Sequence, residues 1–222
     1  MFTGIVKGLG TIVDVKKRDA FLDIVVNVGE VLSPSTDSGS STEVGASVAI
    51  DGVCLTVVAI EGDRWTFSLM QETLEKTTVG ERKVGDRVCL EQPMRMGDEF
   101  GGHMVLGHVD GVGTIVEKEI NGENCRVTIE APELFVKYIV QKGSIAIDGV
   151  SLTVCDPENP RLTKSSRASD SELVEEEGVG GGGIRFSVSL LPLTLERTTL
   201  GFKNVGEKVN LEADYFLKAM VR

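Results

Sequence analysis

Along most of the chain, apolar and polar residues alternate one by one instead of recurring every three or four positions. Runs at 11–15, 21–28, 46–50, 54–60, 65–70 and 87–91 are rich in Val, Ile and Thr and are bounded by Gly and Asp. A period of two sends successive side chains to opposite faces, so each run predicts a half-buried strand. Six short strands in under 100 residues suit a small closed barrel, because closure removes the exposed edges that invite mispairing. Helices are expected to be minor. The stretch 132–139 has Pro132 at its first position, a helix start signal, and the tail 213–222 is expected to form a short helix.

The strand pattern occurs twice. Gly8-Leu9-Gly10-Thr11-Ile12-Val13 returns as Gly111-Val112-Gly113-Thr114-Ile115-Val116, with five of six positions identical. Ile50-Asp51-Gly52-Val53-Cys54-Leu55-Thr56-Val57 returns as Ile147-Asp148-Gly149-Val150-Ser151-Leu152-Thr153-Val154, with seven of eight identical. Thr73-Leu74-Glu75-Lys76-Thr77-Thr78-Val79-Gly80 returns as Thr194-Leu195-Glu196-Arg197-Thr198-Thr199-Leu200-Gly201, with six of eight identical. Val84-Gly85-Asp86-Arg87-Val88 is echoed by Val205-Gly206-Glu207-Lys208-Val209. Three blocks in one order make an internal duplication. The expected division is 1–97, 98–210 and a helical tail at 211–222. The fold class is therefore all-β: two tandem six-stranded barrels plus a short C-terminal helix.

The offsets between the copies are 103, 97 and 121, so the second copy carries 24 extra residues between its second and third blocks. They fall within 156–183, which holds Pro157, Pro160, a Ser-rich tract, Glu175-Glu176-Glu177 and Gly180-Gly181-Gly182-Gly183. Few of these groups favour burial, so a mobile surface loop between two strands is expected. The glycines lack the following Lys-Ser/Thr of a phosphate-binding loop and read as a tether. Gly8-x-Gly10 likewise lacks the third glycine and the helix of a dinucleotide fingerprint, and reads as a bulge or a tight barrel corner.

The formal charge of −11 argues against nucleic acid or an anionic membrane as partner, since binding polyphosphate draws on Lys and Arg. No run of 18 apolar residues suggests a membrane span, and Met1-Phe2-Thr3-Gly4-Ile5-Val6 lacks the basic start and apolar core of a signal peptide. Cys54, Cys89, Cys125 and Cys155 are scattered, which points to reduced thiols and a cytoplasmic setting. With only His103 and His108 as imidazoles and no cluster of four ligands in the sequence, a zinc site is not expected.

The duplication also singles out residues for chemistry. In each copy two small polar groups share one strand face, Cys54 with Thr56 and Ser151 with Thr153. That face is either solvated or part of a binding site. His108 stands where the first copy has Ile5, so packing does not require an imidazole there, and imidazole suits proton transfer near neutral pH. His103 has no such argument and is read as ordering the linker. Met70-Gln71-Glu72 faces Leu191-Pro192-Leu193 while Thr73 and Thr194 are retained. Two similar but unequal pockets would handle two molecules of one ligand in different roles.

These motifs, with Gly101-Gly102-His103 followed by Gly107-His108, resemble riboflavin synthase, the family of tandem lumazine-binding domains. The resemblance covers 1–155 and 184–214. It implies six-stranded Greek-key barrels related by pseudo-twofold symmetry, no metal and no cofactor, an asymmetric homotrimer, and lumazine synthase as a candidate partner. It also implies the last step of riboflavin formation. Two molecules of 6,7-dimethyl-8-ribityllumazine exchange a four-carbon unit to give riboflavin and 5-amino-6-ribitylaminouracil. A non-catalytic lumazine or flavin carrier is the alternative.

The resemblance places ligand binding on Gly4-Ile5-Val6, Cys54-Leu55-Thr56 and Ser68-Leu69-Met70-Gln71-Glu72-Thr73 for the first copy. For the second it gives Gly107-His108-Val109, Lys142, Ser151-Leu152-Thr153 and Ser189-Leu190-Leu191-Pro192-Leu193-Thr194. It assigns His108 and Thr153 to proton transfer on one ring, and Ser47, Cys54 and Asp214 to activation of the other. Leu193 departs from the polar residue expected there.

Overall fold

The computed structural model describes residues 1–19, 21–32, 42–158, 162–164, 173–175 and 183–221. The first half contains β1 (Gly8–Arg18), β2 (Phe21–Asn27), α1 (Gly29–Leu32), β3 (Ser47–Ile50), β4 (Val53–Glu61), β5 (Arg64–Met70), α2 (Gln71–Lys76) and β6 (Arg87–Glu91). All pairs are antiparallel and close in the order β1-β2-β5-β4-β3-β6, with β6 returning to β1. Inward positions of the alternating runs supply Ile12, Ile24, Val26, Trp65 and Phe67 to one core. Burying each such side chain stabilises the fold by about 1.5–3 kcal/mol.

The second half contains β7 (Gly111–Asn121), β8 (Asn124–Ala131), β9 (Ser144–Ile147), β10 (Val150–Thr153), β11 (Cys155–Glu158), β12 (Leu162–Lys164), β13 (Leu173–Glu175), β14 (Ile184–Leu190), α3 (Pro192–Arg197), β15 (Lys208–Ala213) and α4 (Tyr215–Met220). Its sheet runs β10-β9-β15-β7-β8-β14-β11. Its two end strands are consecutive in the chain, separated by Val154 alone. Together they take the place of β4, and the ring is completed through the covalent chain. Val154 repeats the bonding of Val57. Its N–H donates to Gly143 O and its carbonyl accepts from Lys142 N, as Val57 bonds with Ala46 O and Gly45 N.

Three expectations change. The 132–139 stretch is not a helix but a single 3-10 turn, Glu133–Phe135. Pro132 is extended (φ −57, ψ 159), and Phe135 and Ile139 are drawn into the core as plugs. The insertion does not begin as a loop at 156, because β11 continues to Glu158 opposite Arg185 and β12 pairs with β13. The rest of that segment, with Gly180, Gly181 and Gly182, lies outside the described residues. Finally, α2 and α3 follow β5 and β14 in matching places where no helix was expected. The tail helix is present as α4, capped by Asp214, whose Oδ1 accepts from Phe216 N and Leu217 N.

The halves meet across a pseudo-dyad. Phe2 N donates to Val105 O at 2.7 Å and Val105 N to Phe2 O at 3.1 Å. These residues pack with Ala49 and Ala146. The β3–β4 and β9–β10 turns are Asp51-Gly52 and Asp148-Gly149, all four at positive φ, the requirement of a tight two-residue hairpin. A Cβ on Gly52 would lie 2.5 Å from Gly149 N, so the two turns abut.

Behind them sit two buried acids. Asp51 accepts from Arg82 Nη2 (2.7 Å) and Cys89 N (2.8 Å). Asp148 accepts from Lys203 Nζ (2.5 Å), Thr199 Oγ1 (3.2 Å) and Asn210 N (2.8 Å). Thr78 N reaches across to Asn210 Oδ1, and Thr199 N to Cys89 Sγ. Burial, with Asp51 and Asp148 nearby, pushes the Cys89 thiol up, so it serves as an uncharged acceptor.

Candidate functional site

Each half carries one half-site, and each is finished by a strap from the opposite end of the pseudo-dyad. Gly4 O accepts from Ser151 N at 2.8 Å, and Gly107 O accepts from Cys54 N at 2.9 Å. Val6 packs against the second core, while Val109 packs against the first. Gly4 and Gly107 have φ of 75 and 78, and a Cβ on either would lie 2.6 Å from the facing Cβ of Ser151 or Cys54. Only glycine allows that approach with that backbone. The expected grouping is therefore exchanged: Gly4-Ile5-Val6 belongs with Ser151, and Gly107-His108-Val109 belongs with Cys54.

The second half-site is a cavity of about 220 Å³ lined by Gly4, Ile5, Val6, Val150, Ser151, Leu193, Thr194, Arg197 and Thr198. Thr153 lies two positions beyond Ser151 on β10, exposed, opposite Ser144. Leu152 is half-buried against the core. Ser189, Leu191 and Pro192 are exposed along the end of β14 and the start of α3, whereas Leu190 is a core residue that offers a ligand only its backbone. Lys142 is exposed and sits at φ 64, where the first half has Gly45.

The first half-site contains Cys54, half-buried, and Thr56, exposed opposite Ser47 across β3 and β4. Leu55 and Leu69 belong to the core. Ser68 Oγ donates to Asp23 and accepts from Arg18, which anchors the wall before α2. Met70 is exposed at the start of α2. Gln71 bonds Glu75, Glu72 bonds Lys76, and Thr73 O receives Thr77 N. His108 is exposed on the strap beside Cys54. Within one chain His108 and Thr153 thus fall in different half-sites.

Two features were missed. His103, read as a linker residue, is buried, and its Nδ1 lies 2.7 Å from Ser151 Oγ. Burial lowers its pKa, while the charge of Asp214 works in the opposite direction. The second feature is a pair of matched glutamates. Glu91 accepts from Thr3 N (2.8 Å), Thr3 Oγ1 (2.9 Å) and Gly4 N (3.2 Å). Glu212 accepts from Leu106 N (2.8 Å) and Gly107 N (2.9 Å). The repeated Leu-Glu at the end of β6 and one residue before the end of β15 was the available signal, an acid on a strand whose neighbours are core.

Among the described residues no cluster of three or more His, Cys, Asp or Glu is placed to hold a metal ion, and no helix is long and apolar enough to cross a membrane.

The model of the lumazine-binding domain matches this chain twice, at residues 3–93 and 106–214. The chain is 37% identical to riboflavin synthase of Brucella abortus, covering 100% of this chain and 97% of that one. It is 36% identical to riboflavin synthase of Escherichia coli, covering 100% and 90%. The chain belongs to the riboflavin synthase family. Its fold is also that of LumP in complex with riboflavin, with a TM-score of 0.74, 26% identity, and coverage of 96% of this chain and 99% of that one. LumP complexed with 6,7-dimethyl-8-(1'-D-ribityl) lumazine matches with a TM-score of 0.71 and the same identity and coverage. The two family-model matches coincide with the two halves, and the second runs through the insertion.

Proposed function

We propose that the chain is a riboflavin synthase: it binds two molecules of 6,7-dimethyl-8-ribityllumazine and transfers a four-carbon unit between them. The observation that carries this reading is the pair of strap-closed half-sites on one scaffold, alike in backbone and unlike in reactive side chains. A dismutation needs that combination, since two copies of one substrate must be held alike and treated differently.

The methyl protons at C7 of the donor ring are acidic because the carbanion delocalises into the heterocycle. A base removes one such proton, and a nucleophile adds at C7 of the acceptor. Each acid–base contribution is worth about 10²–10⁴ in rate. Holding two rings face to face contributes more, with effective molarities of about 10⁵–10⁸ M. His108 and Cys54 serve one ring. Ser151, held by His103, and Thr153 serve the other.

Stacking the two half-sites calls for a second subunit, and a homotrimer fits this need. Tyr215, Phe216 and Met220 on α4 are 41%, 55% and 71% exposed, an apolar surface suited to subunit contact. The units run 1–97 and 98–210 with the tail 211–222. The setting is the cytoplasm, and lumazine synthase, which would supply the substrate, is a candidate partner. A carrier would need one polar pocket, whereas polar groups stand in both. The test is to mix purified protein with the lumazine alone and follow riboflavin absorbance. Binding of both ligands without conversion would select the carrier.

A further inference from the structure

The two glutamates that hold the straps do more than fill space. Glu91 and Glu212 are 4% and 3% exposed, and burying a carboxylate is costly unless its charge is met. Each is met chiefly by backbone N–H groups of the strap that walls the other half's site. Glu212 takes Leu106 N on one oxygen and Gly107 N on the other, immediately before His108. Gly107 then passes its own carbonyl to Cys54 N. The strap is pinned between β15 and β4, and His108 is the next residue outward.

We propose that Glu91 and Glu212 are positioning residues: each carboxylate grips, through two backbone amides, the strap completing a half-site, and Glu212 thereby sets where His108 stands relative to Cys54. This rests on the riboflavin synthase reading for its effect on activity, though not for the grip itself.

The two grips differ in their surroundings. Glu91 has a third donor in Thr3 Oγ1 and borders a cleft of about 330 Å³ that Lys7, Arg95, Asp98 and Glu99 also line. The charged groups acting on Glu212 are Lys218 of α4 and Asp110, which are bonded to each other at 2.8 Å. Burial pushes the Glu212 carboxyl up to about 7, against the pull of its two amide donors and Lys218. A protonated carboxyl turns one acceptor into a donor facing an N–H. The strap then loses half of its grip even as the cost of a buried charge is relieved. Activity and stability should therefore part company near neutrality.

The test uses the full-length protein and the variants Glu212→Gln and Glu91→Gln, which keep shape but set an NH₂ against a backbone N–H. Amide hydrogen exchange reads the grip directly and without substrate. Glu212→Gln is expected to expose Leu106 and Gly107 selectively, and Glu91→Gln to expose Thr3 and Gly4. In riboflavin formation, Glu212→Gln is expected to cost about 10²-fold in kcat, the order expected for a misplacement near 1 Å. In the wild type, kcat is expected to fall on the acid side of about pH 7 while the melting temperature gains on that of Glu212→Gln as pH falls, and Glu212→Gln is expected to lessen that acid fall. Unchanged exchange in both variants, or a wild-type melting temperature that loses ground to that of Glu212→Gln as pH falls through about 7, overturns the proposal. If Glu212→Gln does not fold, wild-type protection of Leu106 and Gly107 at about pH 6 and about pH 8, corrected for intrinsic rates, decides, with weaker protection at pH 6 expected. If the exchange pattern holds but no riboflavin forms, the function reading fails and the grip stands.

Discussion

The two half-sites share a skeleton and differ in their reactive groups. Cys54 has the strap of Gly107 and His108 before it. Ser151 has Gly4 and Ile5, with His103 behind its hydroxyl. Several positions at or near the pseudo-dyad are identical in both copies: Asp51 and Asp148, Gly52 and Gly149, Thr78 and Thr199, Glu91 and Glu212. Positions facing open space have diverged: Ile5 and His108, Met70 and Leu191, Gln71 and Pro192, Glu72 and Leu193. Packing at the dyad links the two copies, because Gly52 abuts Gly149 and Phe2 pairs with Val105. A cavity imposes no such link, and chemistry is free to differ between the two halves.

The dyad itself is not fully symmetric, and breaking it should show the largest effect. Lys203 is 2% exposed, and its removal would leave Asp148 buried without its cation. Lys203→Met is expected to cost about 3–5 kcal/mol in urea unfolding. The Arg82 side chain is 16% exposed, so water can reach Asp51 when it is cut back, and Arg82→Met should cost less. Pairing Lys203→Met with Asp148→Asn should recover much of the loss. Equal costs for the two cations would mean that solvent access at the two ends does not differ as described.

The half-sites come next. His108→Ala is expected to lower single-turnover riboflavin formation by about 10²–10⁴ with little change in melting temperature, because the imidazole is exposed. His103→Ala should instead act mainly through Ser151. It leaves the hydroxyl without its partner, at a cost of about 1–3 kcal/mol if that hydroxyl stays dry. If the two variants behaved alike, the distinction between a strap imidazole and a supporting one would collapse.

These differences were unequally legible in the chain. Strand positions and the duplication could be read because a two-residue period and repeated blocks are local signals. The exchange of straps could not, since Gly4 meets Ser151 and Gly107 meets Cys54 only after both halves have folded. His103 was passed over for the same reason: its partner is 48 residues away and the first copy has no equivalent. Each of α2 and α3 spans six residues, too few for a helical period to show. Pro132 was a true start signal for an element that stopped after one turn. Glu91 and Glu212 were visible as a repeated acid in a core pattern, but nothing local says that a carboxylate there is met by amides from elsewhere.

Stability should respond to pH in opposite senses at the two half-sites. Burial raises the Glu212 carboxyl to about 7 from an unfolded value near 4.5. Its contribution is therefore full below about pH 4.5 and is lost as pH rises through about 7. His103 is lowered from 6.5, so its contribution is present above that value and lost as pH falls through its folded pKa. Melting curves of Glu212→Gln and His103→Ala, each subtracted from wild type across this range, should slope in opposite directions. Parallel slopes would assign the dependence to some other group.

The smallest expected effect is also the sharpest test of the comparison. Cys54 and Ser151 occupy matching positions, each donating its N–H to a strap carbonyl at 2.9 and 2.8 Å. Only Ser151 has a hydrogen-bond partner for its side chain in His103, while Cys54 packs against the cluster of Phe2, Ala49, Val105 and Ala146. Cys54→Ser therefore sets a hydroxyl in a partly apolar place, and Ser151→Cys gives His103 a weaker partner. Each should cost no more than about 1–2 kcal/mol. The double exchange should not restore what the single changes remove, because His103 does not move with the serine. Recovery in the double variant would mean that the two positions are interchangeable and that the asymmetry of the site lies in the straps alone.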